Sequence, residues 1–416
     1  MTPALIRSNP RGWLVVLVAF TALSFSFSSR NTLGVMIPGW EQEFGWTRKF
    51  LSSGGAVMLM VMAFLSPIAG SLIDRFGPRW LFAIGLGTFG GTMILTGTTM
   101  TAPWQFIVVF CILGGVGYTL VGLPLTSTSI ARLFVTHRGL ATSITSSGVG
   151  IGQLLLVPLF AAGIAAVGWR TAYIFFGLIC IGLGFVAFRM LRDERHGAVR
   201  LSEPREQADT MLVKVALLAR APTFWLLIGA YTVCGFTTAG IVKVHLLPYA
   251  VSCGYPLVQS AAAFGVMAGF NVVGMLLSGW LTDRVNRPML LGGVYFIRAL
   301  VFILLVYVGA DISLLFLFAV IFGTLDFATV PPTAGIVATH LGVRTMGFSM
   351  GVLFAGHSVG AAAGAFLGGW FYDLYARYDG VWLLGLGLAM VAAVLSWSIR
   401  EIPREDLGRA PAAAAA

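Results

Sequence analysis

The chain has 416 residues, of which 58% are hydrophobic and only 10% charged, and its mean hydropathy is +0.90. Soluble domains carry about 25% charged residues, so a water-soluble globular class is excluded. The formal net charge of +10 would suit nucleic acid, but the cations gather in alternate short polar segments between apolar runs, the positive-inside pattern of a chain threaded through a bilayer.

Apolar runs of about 20 residues, each long enough to span a bilayer, predict helices over 13–38, 47–73, 79–99, 104–130, 138–164 and 170–190, then 222–249, 257–282, 288–309, 312–338, 345–370 and 381–400. Arg7, Arg11, Arg75, Arg79, Arg132, Arg138, the Arg189 to Arg220 group, Arg284, Arg287, Arg344, Arg400, Arg404 and Arg409 fall on one side. Arg48, Lys49, Arg170 and Arg377 fall on the other, so both termini are expected in the cytoplasm. The expected fold class is an all-α membrane protein of about twelve transmembrane helices in two pseudo-symmetric six-helix bundles. The expected parts are a first bundle at 1–192, a solvated cytoplasmic linker at 193–220, a second bundle at 221–403 and a disordered tail at 404–416. Arg7 and Arg11 ahead of an apolar run resemble a signal peptide, but the run reaches Pro38 with no small-residue cleavage pattern and reads as the first span. Cys111, Cys180, Cys234 and Cys253 lack metal-ligand spacing.

The segment Gly70-Ser-Leu-Ile-Asp74-Arg75-Phe-Gly77-Pro78-Arg79 is a tight charged turn between the second and third runs. A weaker copy stands at Gly279-Trp-Leu-Thr-Asp283-Arg284-Val-Asn286-Arg287-Pro288; Asp74 to Asp283 is 209 positions, as is Gly70 to Gly279 and Gly45 to Gly254. The first copy resembles the loop signature of the major facilitator superfamily, G-x-x-x-D-R-x-G-x-R. The whole chain matches the parallel repeat of that superfamily's two halves. In such carriers the loop is understood to latch the halves on the cytoplasmic face. By resemblance Asp74 would meet the start of the eleventh span, and Asp283 the start of the fifth. Arg75 and Arg79, with Arg284 in the second copy, would pair with nearby acids or lipid phosphates. A helix N-terminus attracts a carboxylate by about 0.3–1 kcal/mol at an exposed site. Gly148 and Gly152, and the ladder Gly360, Gly364 and Gly368, sit at the spacing that lets helix backbones approach closely. Packing is their first reading, and a sliding contact between halves the second.

Unrepeated polar groups in the runs are the candidates for substrate chemistry, since a charge at the bilayer centre costs at least about 2.5–3.5 kcal/mol. Arg30, in Ser28-Ser29-Arg30-Asn31, matches where organic-anion facilitators hold an arginine, and a guanidinium reads a carboxylate with two parallel hydrogen bonds. Arg298 and Asp326 stand at similar expected depths and either pair structurally or serve transport. Asp326 is the intramembrane carboxylate suited to carry a proton. His357 could carry a proton or bond an acid. Lys243 and His245 read as an outer vestibule for anions. Tyr118, Gln153, Tyr231 and Asn271 are further polar candidates for a cavity.

Several phrases resemble the bacterial monocarboxylate and oxalate/formate branch: Asp74-Arg75-Phe76-Gly77-Pro78-Arg79, Val244-His245-Leu246-Leu247-Pro248-Tyr249, Ala328-Thr329-Val330-Pro331-Pro332-Thr333, and the region of His357-Ser358-Val359-Gly360. That resemblance implies transport of small organic acids, with a proton or by exchange, in a cell inner membrane. The branch commonly carries an arginine in the eighth span; Phe270 to Leu276 holds none here, so either Arg30 and Arg298 replace it or the substrate differs. The expected activity is therefore secondary active transport of a small organic anion, a monocarboxylate, by proton symport. Efflux of amphipathic compounds and organic anion exchange are the alternatives. No enzymatic activity, cofactor, metal or nucleic-acid partner is expected, and the functional unit is read as a monomer.

Overall fold

In the computed structural model, residues 10–46, 48–134, 137–191, 211–343, 345–375 and 377–401 are described. All regular structure among them is helical. The first six spans are Pro10–Phe44, Arg48–Phe76, Pro78–Thr99, a composite fourth, Arg138–Val167 and Trp169–Met190. A helix at Met211–Arg220 follows, then a composite seventh span, Leu257–Thr282, Arg287–Tyr307, an interrupted tenth, Met346–Tyr375 and Asp379–Trp397. Ten helices among the described residues are long and apolar enough to cross a membrane. The first and fifth spans complete the expected twelve.

Local sequence explains the ends. Prolines open the third, fourth, seventh and ninth spans at Pro78, Pro103, Pro222 and Pro288, where a missing N–H costs nothing. Gly45 and Gly254 turn the chain at matching points of the two halves with φ of 67° and 89°, a conformation that glycine adopts without a Cβ clash. The repeat seen in the sequence is thus a repeat in the backbone.

Two features depart from the simple helical pattern. The seventh span is π-helical over Phe236–Val242 before it continues as Lys243–Ser252, and the fourth is π-helical over Phe106–Leu113. The fourth and tenth spans also break. The fourth breaks at Gly122, between Gly114–Val121 and Leu123–Leu133. The tenth breaks between Ile312–Asp326 and Val330–His340. Pro124 and the pair Pro331 and Pro332 lie just past the breaks, where they leave no room for an uninterrupted ladder.

Within each half, small residues seat one helix on another. A Cβ on Gly148 or Gly152 would meet a first-span carbonyl oxygen at 2.4 Å, and one on Gly360 would meet Thr232 O at 2.0 Å. The glycine ladders therefore pack the first span on the fifth and the seventh on the eleventh. They are not the sliding contact between halves. That contact is made elsewhere: Gly70 lies on Gly347 and Ser66 on Gly351, joining the second span to the eleventh, while Gly139 lies on Gly279, joining the fifth to the eighth.

The peripheral helices are braced. Arg79 Nε donates to Phe188 O at 3.0 Å, and its guanidinium covers the Phe188 ring at 3.8 Å, tying the third span to the sixth. Arg287 donates its backbone N–H to Glu401 at 2.7 Å, tying the ninth span to the chain beyond the twelfth. On the opposite side Arg170 pairs with Glu43 at 2.9 Å, joining the sixth span to the first.

The solvated linker expected at 193–220 is corrected in its last third. Met211–Arg220 is helical, and Lys214 and Leu218, one turn apart, are both buried. The linker charges from Asp193 to Asp209, Arg344 and the 404–416 tail lie outside the described residues.

Candidate functional site

Two carboxylates meet two helix starts on the motif side. Asp74 Oδ1 accepts from Gly347 N at 3.0 Å, and Oδ2 accepts from Phe348 N at 3.1 Å. Asp283 does the same to the fifth span, with Gly139 N at 2.8 Å and Leu140 N at 3.0 Å. Each carboxylate thus satisfies N–H groups that a helix start leaves without intrahelical acceptors, and it stands at the positive end of the helix dipole. The backbones cross beside them so closely that a Cβ on Gly70 would meet Gly347 O at 2.0 Å. One partner is new: Lys214 of the linker helix reaches Asp74 Oδ2 at 3.3 Å.

Arg287 of the second loop lies 3.8 Å from the Glu401 carboxylate, but Arg75, Arg79 and Arg284 take other partners than acids. Arg79 is the brace to Phe188 described above. Exposed Arg75 lies over the Phe76 ring at 5.2 Å. Exposed Arg284 donates to Trp280 O at 3.2 Å and covers the Trp280 ring at 4.2 Å. Aromatic rings flank all three, and a planar guanidinium stacks on them readily.

The interior polar centre belongs to the second half. Asp326, the last helical residue before the tenth-span break, is buried. Its Oδ2 accepts from Lys243 Nζ at 3.0 Å and from Asn271 Nδ2 at 2.9 Å, so one oxygen is shared by the seventh and eighth spans. Among the described residues Oδ1 has no donor. The Lys243 side chain keeps 30% of its surface exposed against 4% for Asp326, and its ammonium lies over the Phe327 ring at 4.4 Å. Phe327 in turn packs on Leu23, Phe27, Leu123 and Val149 of the first half. The centre therefore touches both halves.

Arg298 does not pair with the Asp326 carboxylate, contrary to the expectation from depth. It is fully buried, and its Nη2 donates to Leu325 O at 2.5 Å and to Asp326 O at 3.0 Å. Its Nη1 donates to Cys234 Sγ at 3.2 Å. Breaking the tenth helix frees carbonyls, and those must find donors in a bilayer interior. Arg298 answers two of them, and the Ser278 hydroxyl donates to a third, Ala328 O. Arg298 thus supports the break rather than facing open space.

The remaining candidates scatter. His357 is half-buried, with its ring 5.2 Å from Tyr231 and 5.7 Å from Phe354. Tyr118 is buried edge-on against Phe89 at 5.1 Å, within the packing of the fourth span on the third. Lys243 and His245 are not an outer vestibule. Lys243 turns inward to Asp326, and buried His245 shares a hydrogen bond of 3.0 Å with Ala365 O. The backbone of Arg30 continues the first span, while its side chain lies outside the described residues. Sequence reasoning missed Lys214, Cys234 and Phe327 as members of these sites. Among the described residues no group of His, Cys, Asp and Glu could hold a metal ion.

About twelve helices in two repeated halves, joined on one side by paired carboxylate caps, are the build of a membrane transporter. The chain matches the Major Facilitator Superfamily over residues 19–354 and belongs to it. It is 29% identical to an uncharacterized MFS-type transporter, YcxA of Bacillus subtilis, over 97% of this chain and 98% of that protein. It is 26% identical to monocarboxylate transporter 13 of Rattus norvegicus, covering 88% of this chain and 84% of the relative. It is 28% identical to the oxalate:formate antiporter of Oxalobacter formigenes, covering 70% and 69%. The fold is shared with the proton:xylose symporter XylE at a TM-score of 0.76 and 14% identity, over 95% of this chain and 97% of that one. It is shared equally with the human organic anion transporter MFSD10, at a TM-score of 0.76 and 16% identity, over 92% and 99%.

Proposed function

We propose that this membrane transporter carries a small organic anion, a monocarboxylate, together with a proton across the cell inner membrane. The observation that carries the reading is the pair of Lys243 and Asp326, with Asn271 on the same oxygen. While Asp326 is ionised it holds the ammonium. A proton on Asp326 removes the negative partner, and the half-exposed ammonium then takes a substrate carboxylate instead. Loss of the proton restores the first pair and expels the acid. One proton and one monocarboxylate move per cycle, so no net charge crosses. Arg30 of the first span is proposed as a second cation for the acid, and His357 as a further polar contact. The names of the monocarboxylate and oxalate:formate relatives support the substrate class. Asp74 and Asp283 serve as the cytoplasmic latches that release when the carrier opens inward.

The test is uptake of radiolabelled pyruvate, lactate and formate by purified protein in liposomes under an inward proton gradient. Asp326→Asn is expected to lose gradient-driven accumulation by at least about tenfold, equivalent to about 1.4 kcal/mol, while retaining exchange of internal for external acid. Undiminished accumulation by Asp326→Asn would remove this coupling role. A wild-type protein that moves none of the three acids would remove the substrate class.

A further inference from the structure

The helix at Met211–Arg220 is amphipathic with the wrong side out for water. Lys214 and Leu218, one turn apart, are its buried side chains among the described residues. Lys214 reaches Asp74 Oδ2 at 3.3 Å, and its ammonium lies 6.0 Å from the Phe348 ring at the start of the eleventh span. The charge in the middle of the helix therefore faces protein. Leu212, Val213, Val215 and Leu217 face out, Leu212 with 81% of its surface exposed and Leu217 with 52%. Exposed Ala216 and Ala219 extend that face, and Arg220 closes it with an exposed cation. A contiguous apolar surface of this kind marks a site where a partner or a membrane lies.

The place of the helix says what covers it. Ala221 alone separates it from Pro222, which opens the seventh span. Trp225, exposed in the first turn of that span, donates its Nε1 to Ala219 O at 2.9 Å. Trp80, Trp280 and Trp397 are likewise exposed near the latch-side ends of the third, eighth and twelfth spans. Tryptophans exposed at span ends sit at the headgroup level. The helix is thus tied to a ring of indoles at the boundary between headgroups and acyl chains. The rest of the linker cannot supply the cover. Between Arg192 and Thr210 the large apolar side chains are Val199 and Leu201 alone, among charged and polar neighbours. A helix with leucine and valine outside fits the plane of a bilayer surface. Exposed Arg220 at its end suits the anionic headgroups there.

We propose that Met211–Arg220 lies in the cytoplasmic surface of the bilayer with its outer face among lipid acyl chains, and that this docking holds Lys214 against Asp74. The lysine reaches an aspartate at the end of the second span and a ring at the start of the eleventh, so the lipid-held helix closes over the crossing of the two halves. The bilayer surface is then a partner of the first latch. The inference rests on the membrane fold and on the placement of one helix, and does not depend on which acid is carried.

The experiment is electron paramagnetic resonance of the full chain in nanodiscs of phosphatidylethanolamine and phosphatidylglycerol. Nitroxide labels are placed at Leu212→Cys and, separately, at Leu217→Cys. A label at Phe64→Cys, on the exposed flank of the second span, gives the lipid reference, and the parent chain treated with the label gives the blank for the native cysteines. Both helix labels should be relaxed more by oxygen, which concentrates among acyl chains, than by a water-soluble nickel chelate, as at Phe64. Stronger relaxation by the chelate means a helix in water, and protection from both means cover by protein; either result overturns the proposal. A second measurement reads the hold on Lys214. In the parent, Lys214 should resist acetylation by a water-soluble succinimidyl ester. The Leu212→Glu, Leu217→Glu variant should raise its modification several-fold, as read by peptide mass spectrometry. Modification at the parent's level in that variant overturns the link from lipid to latch.

Discussion

The two carboxylate caps are copies in sequence but not in their surroundings. Both carboxylates cap a helix start with two backbone N–H groups, at 3.0 and 3.1 Å for Asp74 and at 2.8 and 3.0 Å for Asp283. Asp74 has in addition the buried ammonium of Lys214, drawn from the linker helix. The turns differ too. Gly77 sits at φ 75°, whereas its counterpart Asn286 has φ −62° and caps the ninth span by accepting from Met289 N at 2.8 Å. The second copy needs no glycine at this point because its turn does not pass through the left-handed region. A repeat can therefore keep its working carboxylate while the loop around it is rebuilt.

The largest effect is expected where the backbones touch. In Gly70→Val the new side chain meets Gly347 O, which a bare Cβ would already approach to 2.0 Å. Cytoplasmic closure is then blocked, and uptake should fall by more than about a hundredfold, about 2.7 kcal/mol, in liposomes. Activity close to wild type would show that this crossing is not closed during transport.

Next come the carboxylates. Asp74→Asn removes the dipole-matched charge and strands Lys214, so uptake should fall about tenfold, or about 1.4 kcal/mol. Asp283→Asn removes its capping charge and the attraction between that charge and Arg138, without stranding a buried lysine, and about threefold is expected from a capping charge worth about 0.3–1 kcal/mol. Uptake assays on the two variants side by side check the order; equal losses would erase the asymmetry.

The smallest effect is Lys214→Met. It should lower uptake by about twofold or less, because Asp74 keeps both backbone N–H donors and its place at the helix dipole. It should also shrink the difference between Asp74→Asn and Asp283→Asn, which a double-mutant cycle measures directly. Additivity would mean that lysine and aspartate do not act together.

Much of this was legible in the chain, for stated reasons. Span lengths follow from hydropathy, so the eighth span, expected at 257–282, is found at Leu257–Thr282. The latch partners follow from topology, since a loop after an even span faces the start of an odd one. Partner choice inside the bundles was not legible, because it depends on helix rotation. The π-helical turn at Phe236–Val242 shifts the phase of every later residue in the seventh span, and Lys243 thereby faces Asp326 rather than an outer vestibule. Equal depth suggested Arg298 and Asp326 as side-chain partners. The tenth-span break supplied carbonyls that a guanidinium satisfies equally well, and so it took them instead. Lys214 was hidden because a charged linker reads as solvated until one of its turns packs against a loop.

The braces at Phe188 and Glu401 bear on motion. They fix the third span to the sixth and the ninth to the chain beyond the twelfth, on the same face as the latches. Each half then behaves as a stiff jaw whose outer wall does not flex. On the proposed cycle the jaws then part and meet as units along the glycine-lined seams at Gly70 with Gly347 and at Gly139 with Gly279, where backbone touches backbone.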